Sequence, residues 1–214
     1  MKSSAPAASP AAPNGKARAP RAPAKAANTA HAPHEVRIIG GLWRRSRLPV
    51  PDAPGLRPTP DRVRETLFNW LGQDLAGWTV LDAFAGTGAL GFEAASRGAA
   101  AVTLIESDPR LARGLEASRL RLGATATTTV LATDAIAWMR RRPAAFDLVL
   151  LDPPFAADLF APALAAAAGV TVPAGWVYLE AGTEYDDAAL APHGFSRHRH
   201  LRAGAVHAHL LRKA

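Results

Sequence analysis

The 214-residue chain contains no cysteine. Disulfides and thiolate-ligated zinc are therefore excluded, and the composition fits a reducing compartment. Residues 1–34 lack acidic and aromatic residues and have almost no β-branched ones. They are mostly alanine and proline, with Lys2, Lys16, Arg18, Arg21 and Lys25 giving +5. Such a stretch buries no core, so residues 1–35 are expected to form a disordered basic tail. No continuous apolar run follows its basic start, which argues against a secretory signal. Long apolar runs are also missing elsewhere. The longest, from Leu159 to Leu179, is broken by Pro162, Pro173 and two glycines, so it reads as helix, turn and buried strand and not as a membrane span. No internal repeat is visible.

Charge is uneven. Of the formal +7, the tail supplies +5 and residues 35–64 supply +4, from seven arginines against Glu35, Asp52 and Asp61. Everything after residue 64 sums to −2. A basic segment beside a nearly neutral body is what a nucleic-acid partner would require.

The body alternates strand and helix. Strands are predicted at 79–84, 101–106, 127–131, 146–151 and 175–180, and helices at 88–97, 108–122, 134–142 and 156–168. That order implies an α/β fold with a parallel sheet covered on both faces. Two strand-like stretches around Gly204, 195–202 and 205–212, predict a closing hairpin. Upstream, Val36 to Pro49 predicts a small hairpin bending at Gly40-Gly41. Thr59-Pro60 predicts a helix start, with Thr59 as hydroxyl cap. Val63, Leu67, Trp70 and Leu71 then face the core. Trp43 and Trp70 read as core residues.

Two motifs carry chemistry. The first is Val80-Leu81-Asp82-Ala83-Phe84-Ala85-Gly86-Thr87-Gly88-Ala89-Leu90-Gly91, a strand, a glycine turn and a helix start. The strand 101–106 ends at Glu106, 20 positions after Gly86. A carboxylate at that spacing suits a ribose hydroxyl pair. Nicotinamide enzymes share this pattern. Here, however, Asp82 stands before the turn, where it would repel a pyrophosphate and attract an ammonium.

The second motif is Asp152-Pro153-Pro154-Phe155, after a buried strand. Fixed φ and missing N–H groups at both prolines leave carbonyls and a carboxylate facing a cleft without local donors. Phe155 adds a stacking face. That set suits a planar ring with an exocyclic amine, and it lies where ligands sit in open α/β sheets.

With these motifs, three upstream segments complete a resemblance. They are Arg37-Ile38-Ile39-Gly40-Gly41-Leu42-Trp43-Arg44, Gly55-Leu56-Arg57-Pro58-Thr59, and Asp61-Arg62-Val63-Arg64-Glu65-Thr66-Leu67-Phe68-Asn69-Trp70-Leu71. Over residues 36–212 the chain resembles the bacterial 16S ribosomal RNA guanine-N2 methyltransferases (ribosomal RNA small subunit methyltransferase D). The resemblance implies a Rossmann-like class I methyltransferase. It has a mostly parallel seven-stranded sheet ending in an antiparallel hairpin, behind a small N-terminal hairpin and helix. The division expected is a tail at 1–35 and a methyltransferase domain at 36–214, with an RNA-facing extension (36–74) and a Rossmann-like core (75–214).

The implied cofactor is S-adenosyl-L-methionine, held by Asp82, Phe84, Gly86, Gly88, Glu106, Ser107, Asp134 and Ala135. Asp82 would lie near the methionine portion and Glu106 on the ribose. Asp134 could receive the adenine amine, serve as a helix N-cap, or do both. Asp152, Pro153, Pro154 and Phe155 would form the catalytic loop. Arg37, Arg44, Arg45, Arg57, Thr59, Arg62 and Arg64 would meet RNA or close the site. The tail reads as solvated, or as a basic arm for RNA phosphates. His198, His200, His207 and His209 form two His-x-His pairs, read as surface or packing residues with no metal. The implied partner is 16S rRNA in the small subunit or an assembly intermediate, met by a cytoplasmic monomer without membrane contact. Three rivals stay open: methylation of adenine N6 or cytosine N4, a noncatalytic RNA-binding assembly factor, and a nicotinamide oxidoreductase.

Overall fold

The structure is a computed structural model. It describes Met1 and residues 35–51, 59–141, 144–155 and 158–214. The expected tail, except Met1 and Glu35, and the Gly55–Pro58 segment with Arg57 lie outside the described residues.

In chain order the elements are β1 (Glu35–Arg37), β2 (Arg47–Pro49), α1 (Asp61–Leu71), β3 (Thr79–Asp82), α2 (Ala89–Ser96), β4 (Ala101–Glu106), α3 (Pro109–Arg121), β5 (Thr128–Ala132), α4 (Ala135–Arg140), β6 (Phe146–Leu151), α5 (Phe160–Val170), β7 (Thr171–Ala181), α6 (Asp187–Leu190) with a 3-10 turn (Ala191–His193), β8 (Phe195–Ala203) and β9 (Val206–Lys213). The main sheet has seven strands in the order β5-β4-β3-β6-β7-β9-β8. The first five are mutually parallel. β9 is antiparallel to both β7 and β8. This is the α/β sheet with closing hairpin that the residue pattern predicts.

Period-two alternation assigns each strand's residues to two cores. Val80, Leu148, Leu150, Tyr178 and Leu210 pack on the side of α1, α2 and α3. Leu81, Val149, Leu151, Val177 and Leu211 pack on the side of α4 and α5. Burial on both faces is why these strands read as continuous apolar runs. The chain moves outward from β3 to β5, then returns to β6 beside β3. The carboxyl ends around β3 and β6 therefore form the crevice of an open α/β sheet.

The N-terminal hairpin pairs Val36 with Leu48. Its bend lies against the end of α2. Gly41 has φ +74 and approaches Ser96 too closely for a Cβ. Leu42 N–H donates to the Ser96 carbonyl (2.7 Å), and Trp43 N–H to its Oγ (2.9 Å). Helix α2 runs from the carboxyl end of the sheet to the amino end, so this bend sits at the amino end. Val36 and Val50 pack on Ala89, at the start of the same helix. Val63 and Leu67 are buried, whereas Trp43, Trp70 and Leu71 are half-buried against the core.

Two expectations need correction. Thr59 does not cap α1. The helix starts at Asp61, so Pro60 occupies the N-cap with no side-chain bond and Thr59 stands one residue outside it. Helix α5 begins at Phe160, and β7 begins at Thr171 instead of 175. The early part of β7 carries a register shift against β6 and a left-handed residue, Ala174 at φ +55, after Pro173. That irregularity hides the strand start from a periodicity reading.

Candidate active site at the carboxyl end of the sheet

The glycine turn follows Asp82 at the end of β3. Gly86 (φ +52) donates its N–H to Glu106 Oε2 at 2.9 Å. Gly88 has φ +78, and a Cβ there would sit 2.5 Å from the Phe92 ring and 2.7 Å from Leu115 Cδ2. Both conformation and space restrict position 88 to glycine. The spacing of 20 between Gly86 and Glu106 thus corresponds to a direct contact. Glu106 Oε1 accepts from Asp108 N–H (2.8 Å), while Ser107 is exposed beside it. A carboxylate has about four acceptor positions, so Glu106 retains capacity for hydroxyl donors.

Phe84 is half-buried at the same rim. Asp134 caps α4, accepting from Ala137 N–H at 2.6 Å, and its side chain is otherwise exposed. The cap role is realised, with solvent access left over. Ala135, the first residue of α4, is buried. These groups form a continuous rim across the ends of β3, β4 and β5. Its carboxylates suit a cationic, hydroxyl-bearing ligand better than a pyrophosphate.

The next strands carry more acid. Asp82 ends β3, Asp152 follows β6, and Glu180 lies near the end of β7. Leu151 is in register with Leu179, so Asp152 and Glu180 are cross-strand neighbours. Burial first, with Glu180 and Asp82 next, raises the Asp152 carboxyl well above the usual carboxylate range. Burial pushes Asp82 up to about 7, opposed by the Gly91 N–H that donates to its Oδ2 at 2.9 Å. Glu180 is raised by burial and held back by hydrogen bonds from Thr59 and Tyr178 and by Arg64. The Tyr178 hydroxyl donates to Glu180 Oε1 at 2.9 Å. Three carboxylates with few cations cost stability, and such clusters mark functional sites.

Pro153 is buried, Pro154 exposed, and Phe155 is 44% exposed. Phe155 packs on Phe160, which packs on Tyr185 (centroids 6.1 and 6.0 Å). Glu180 went unread in the sequence. The available signal was a carboxylate closing a predicted buried strand, as in β3 and β4.

The arginines expected at RNA divide. Arg64 is fully buried. Its guanidinium donates to Asp61 (2.6 Å), the Arg37 carbonyl (2.9 Å), the Thr59 carbonyl (3.3 Å) and Glu93 (3.4 Å). It has no surface to offer RNA, so that expectation is corrected to a structural role. Thr59 is also buried and turned to Glu180. Arg37 is exposed and lies 3.7 Å from Asp61. Arg62 is exposed on the first turn of α1. Arg44 and Arg45 are exposed, but on the bend at the amino end of the sheet, away from Asp152. Arg57 lies outside the described residues.

Three of the hairpin histidines converge. His200, His207 and His209 place ring nitrogens within 4.8 Å of one another. His209 is committed on both sides. Its Nε2 accepts from Tyr185 N–H (3.0 Å) and its Nδ1 faces the Leu179 carbonyl (3.3 Å). His200 Nε2 and His207 Nδ1 bond each other at 3.1 Å. This is the geometry of a packed, hydrogen-bonded group.

Comparison with known proteins gives one consistent answer. The family described as conserved hypothetical protein 95 matches residues 36–212. Ribosomal RNA small subunit methyltransferase D of Escherichia coli K12 is 40% identical over 178 residues, covering 80% of this chain and 87% of that protein. The solved structure of yhhF from Escherichia coli is 36% identical with a TM-score of 0.73, covering 84% of this chain and 98% of that one. A Thermus thermophilus 16S rRNA N2 G1207 methyltransferase, solved with AdoMet and guanosine, is 23% identical with a TM-score of 0.66. It covers 84% of this chain and 50% of that one, and shares the fold.

Proposed function

We infer the activity from one premise: the chain belongs to the conserved hypothetical protein 95 family, with the ribosomal RNA small subunit methyltransferase D proteins. It is a methyltransferase of ribosomal RNA with S-adenosylmethionine as cofactor. The specific reading is methylation of the exocyclic N2 amine of a guanine in 16S rRNA of the small subunit. The observation that carries it is the juxtaposition of Asp152 and Glu180 beside the Asp82–Glu106 rim.

In the cofactor half, the Gly86–Gly88 turn gives close backbone approach. Glu106 would accept from the ribose hydroxyls, Asp134 would face the adenine amine and Asp82 the methionine portion. When bound, the cofactor supplies a methyl group already activated on a sulfonium. A positive charge between Asp82 and Asp152 also favours their ionised forms, offsetting their burial.

In the substrate half, the guanine amine is a poor nucleophile because its lone pair is delocalised into the ring. Asp152 and the Pro153 carbonyl accept from its N–H groups, favour a pyramidal nitrogen and stabilise the positive charge that develops there. Phe155 stacks on the ring, and the remaining contribution is in-line positioning. Glu180 supports guanine over the other bases. The guanine edge presents N1–H beside N2–H2, a run of donors that two carboxylates can receive. Adenine and cytosine present a ring acceptor beside the amine, which a neighbouring carboxylate would repel.

A cytoplasmic monomer acting on the assembling or assembled subunit fits this reading. Among the described residues no helix is long and apolar enough to cross a membrane. The test is incubation with labelled S-adenosylmethionine and small subunits from a strain lacking this activity, followed by nucleoside separation. Labelled N2-methylguanosine is expected. Label in adenosine or cytidine would overturn the base assignment and keep the mechanism.

A further inference from the structure

The tip of the β8–β9 hairpin has no part in the reading above, yet it lies at the same end of the sheet. Ala181, the last residue of β7, is opposite His207. The turn at Gly204 therefore projects beyond the carboxyl end of β7. Leu201 pairs with Ala208, which pairs with Glu180. At about 4.8 Å per strand, β8 lies about 10 Å from Glu180 and about 15 Å from Asp152. That is the edge of the sheet away from the cofactor half.

The charge there is one-sided. Phe195 to Ala214 contains three arginines before the turn, Arg212 and Lys213 after it, and no acidic residue. Residues 65–194, which hold the acid cluster, sum to −7. Arg197 is spent locally, donating to Glu184 (2.5 Å) and to the Tyr185 carbonyl (3.3 Å). Arg199 and Arg202 are not. Both are exposed, and each donates to a nearby backbone carbonyl only, His198 and Gly204, at 3.3 Å. Among the described residues no carboxylate lies within 4.0 Å of either. Their register partners, Leu210 and His207, point to opposite faces of the hairpin. The two guanidiniums thus stand on opposite faces of the edge strand β8, Arg202 beside the turn and Arg199 three residues before it.

We propose that Arg199 and Arg202, on the two faces of the edge strand β8, contact phosphates of the RNA strand flanking the target guanine. This rests on the ribosomal RNA reading above. The hairpin supplies affinity and register, and the acid cluster supplies the chemistry.

The test uses the full chain and a fluorescein-labelled single-stranded RNA of mixed sequence. The double variant Arg199→Gln/Arg202→Gln is compared with a charge-matched control, Arg113→Gln/Arg140→Gln, two exposed arginines on α3 and α4. The hairpin variant should bind RNA about tenfold more weakly. Its plot of log affinity against log salt should be shallower by about 1.4, for two lost single-strand phosphate contacts. S-adenosylhomocysteine affinity and the control variant should be unchanged. Wild-type affinity and slope in the hairpin variant, or equal loss in the control, would overturn the proposal. Ultraviolet cross-linking of 4-thiouridine RNA to the wild type gives a second readout that needs no variant. Adducts within residues 197–207 support the proposal, and adducts confined elsewhere overturn it. Failure of the wild type to bind or methylate any small-subunit RNA would instead overturn the function reading itself.

Discussion

Two groups of charge are buried in this molecule, and they are built on opposite principles. On the α1–α2 side, Glu93 is fully enclosed between Arg64 and Arg97, with bonds of 3.4 and 2.8 Å. Its carboxylate also accepts the N–H groups of Ile39 (2.7 Å) and Gly40 (2.8 Å). Every charge there has a partner, and the result ties the N-terminal hairpin to the core. At the carboxyl end of the sheet, Asp82, Asp152 and Glu180 have one another as neighbours and only hydroxyls, amides and a distant arginine as support. Thr59 joins the two groups. Its carbonyl accepts from Arg64, and it holds back the rise of the Glu180 carboxyl. The balanced cluster holds the fold. In the proposed function the unbalanced one receives a cation and a donor-rich base.

The sharpest way to break that contrast is at Glu93. Glu93→Ala leaves Arg97 buried without a counter-charge, leaves Arg64 with Asp61 alone, and frees the 39–40 amides. A loss of about 3–5 kcal/mol is expected in urea unfolding, as for a buried pair deprived of one member. Glu93→Gln should lose less, because it keeps the amide acceptors.

The acid cluster should respond with the opposite sign. Asp82 is raised from 3.8 to about 7 in the folded state. Between those values the folded chain holds a proton the unfolded chain has released, so stability falls as pH rises through that window. The slope from this residue is at most about 1.4 kcal/mol per pH unit. Asp82→Asn removes it. Melting profiles of wild type and variant, subtracted, should show the variant gaining relative stability from about pH 4 to about pH 7. A flat difference would mean that Asp82 is not strained.

The smallest effect separates two roles of one residue. Asp134→Ala should cost about 1 kcal/mol through the lost cap on α4. Asp134→Ser should restore the cap but not the affinity for S-adenosylhomocysteine, if the exposed carboxylate also faces adenine. Equal affinity in wild type and Asp134→Ser would reduce Asp134 to a cap.

Much of this was legible in the residues. Strand identity followed from apolar runs buried on both faces, and the place of Glu106 at a strand end beside the glycine turn from the spacing of 20. The place of Asp152–Phe155 at the carboxyl end of a buried strand was legible because two prolines end the apolar run there. What escaped depended on tertiary partners. Arg64 looks like a surface arginine on an amphipathic helix, and only its enclosure by Glu93, Asp61 and two carbonyls makes it structural. Glu180 lies in an irregular strand whose start is masked by Pro173 and Ala174. Arg44 and Arg45 share a basic segment with Arg37, but the bend at Gly40-Gly41 carries them to the other end of the sheet. Sequence proximity could not reveal that separation.

The central claim is that the unbalanced cluster performs methyl transfer while the balanced one maintains the fold. The most direct measurement is single-turnover methyl transfer to small subunits by Asp152→Asn, with urea midpoint and S-adenosylhomocysteine affinity taken on the same preparation. The account predicts a rate lower by about 10²–10³, or about 3–4 kcal/mol in the transition state, with cofactor affinity kept and stability unchanged or improved. Wild-type rates with a lowered urea midpoint would contradict it, by making Asp152 a structural residue and moving the chemistry elsewhere.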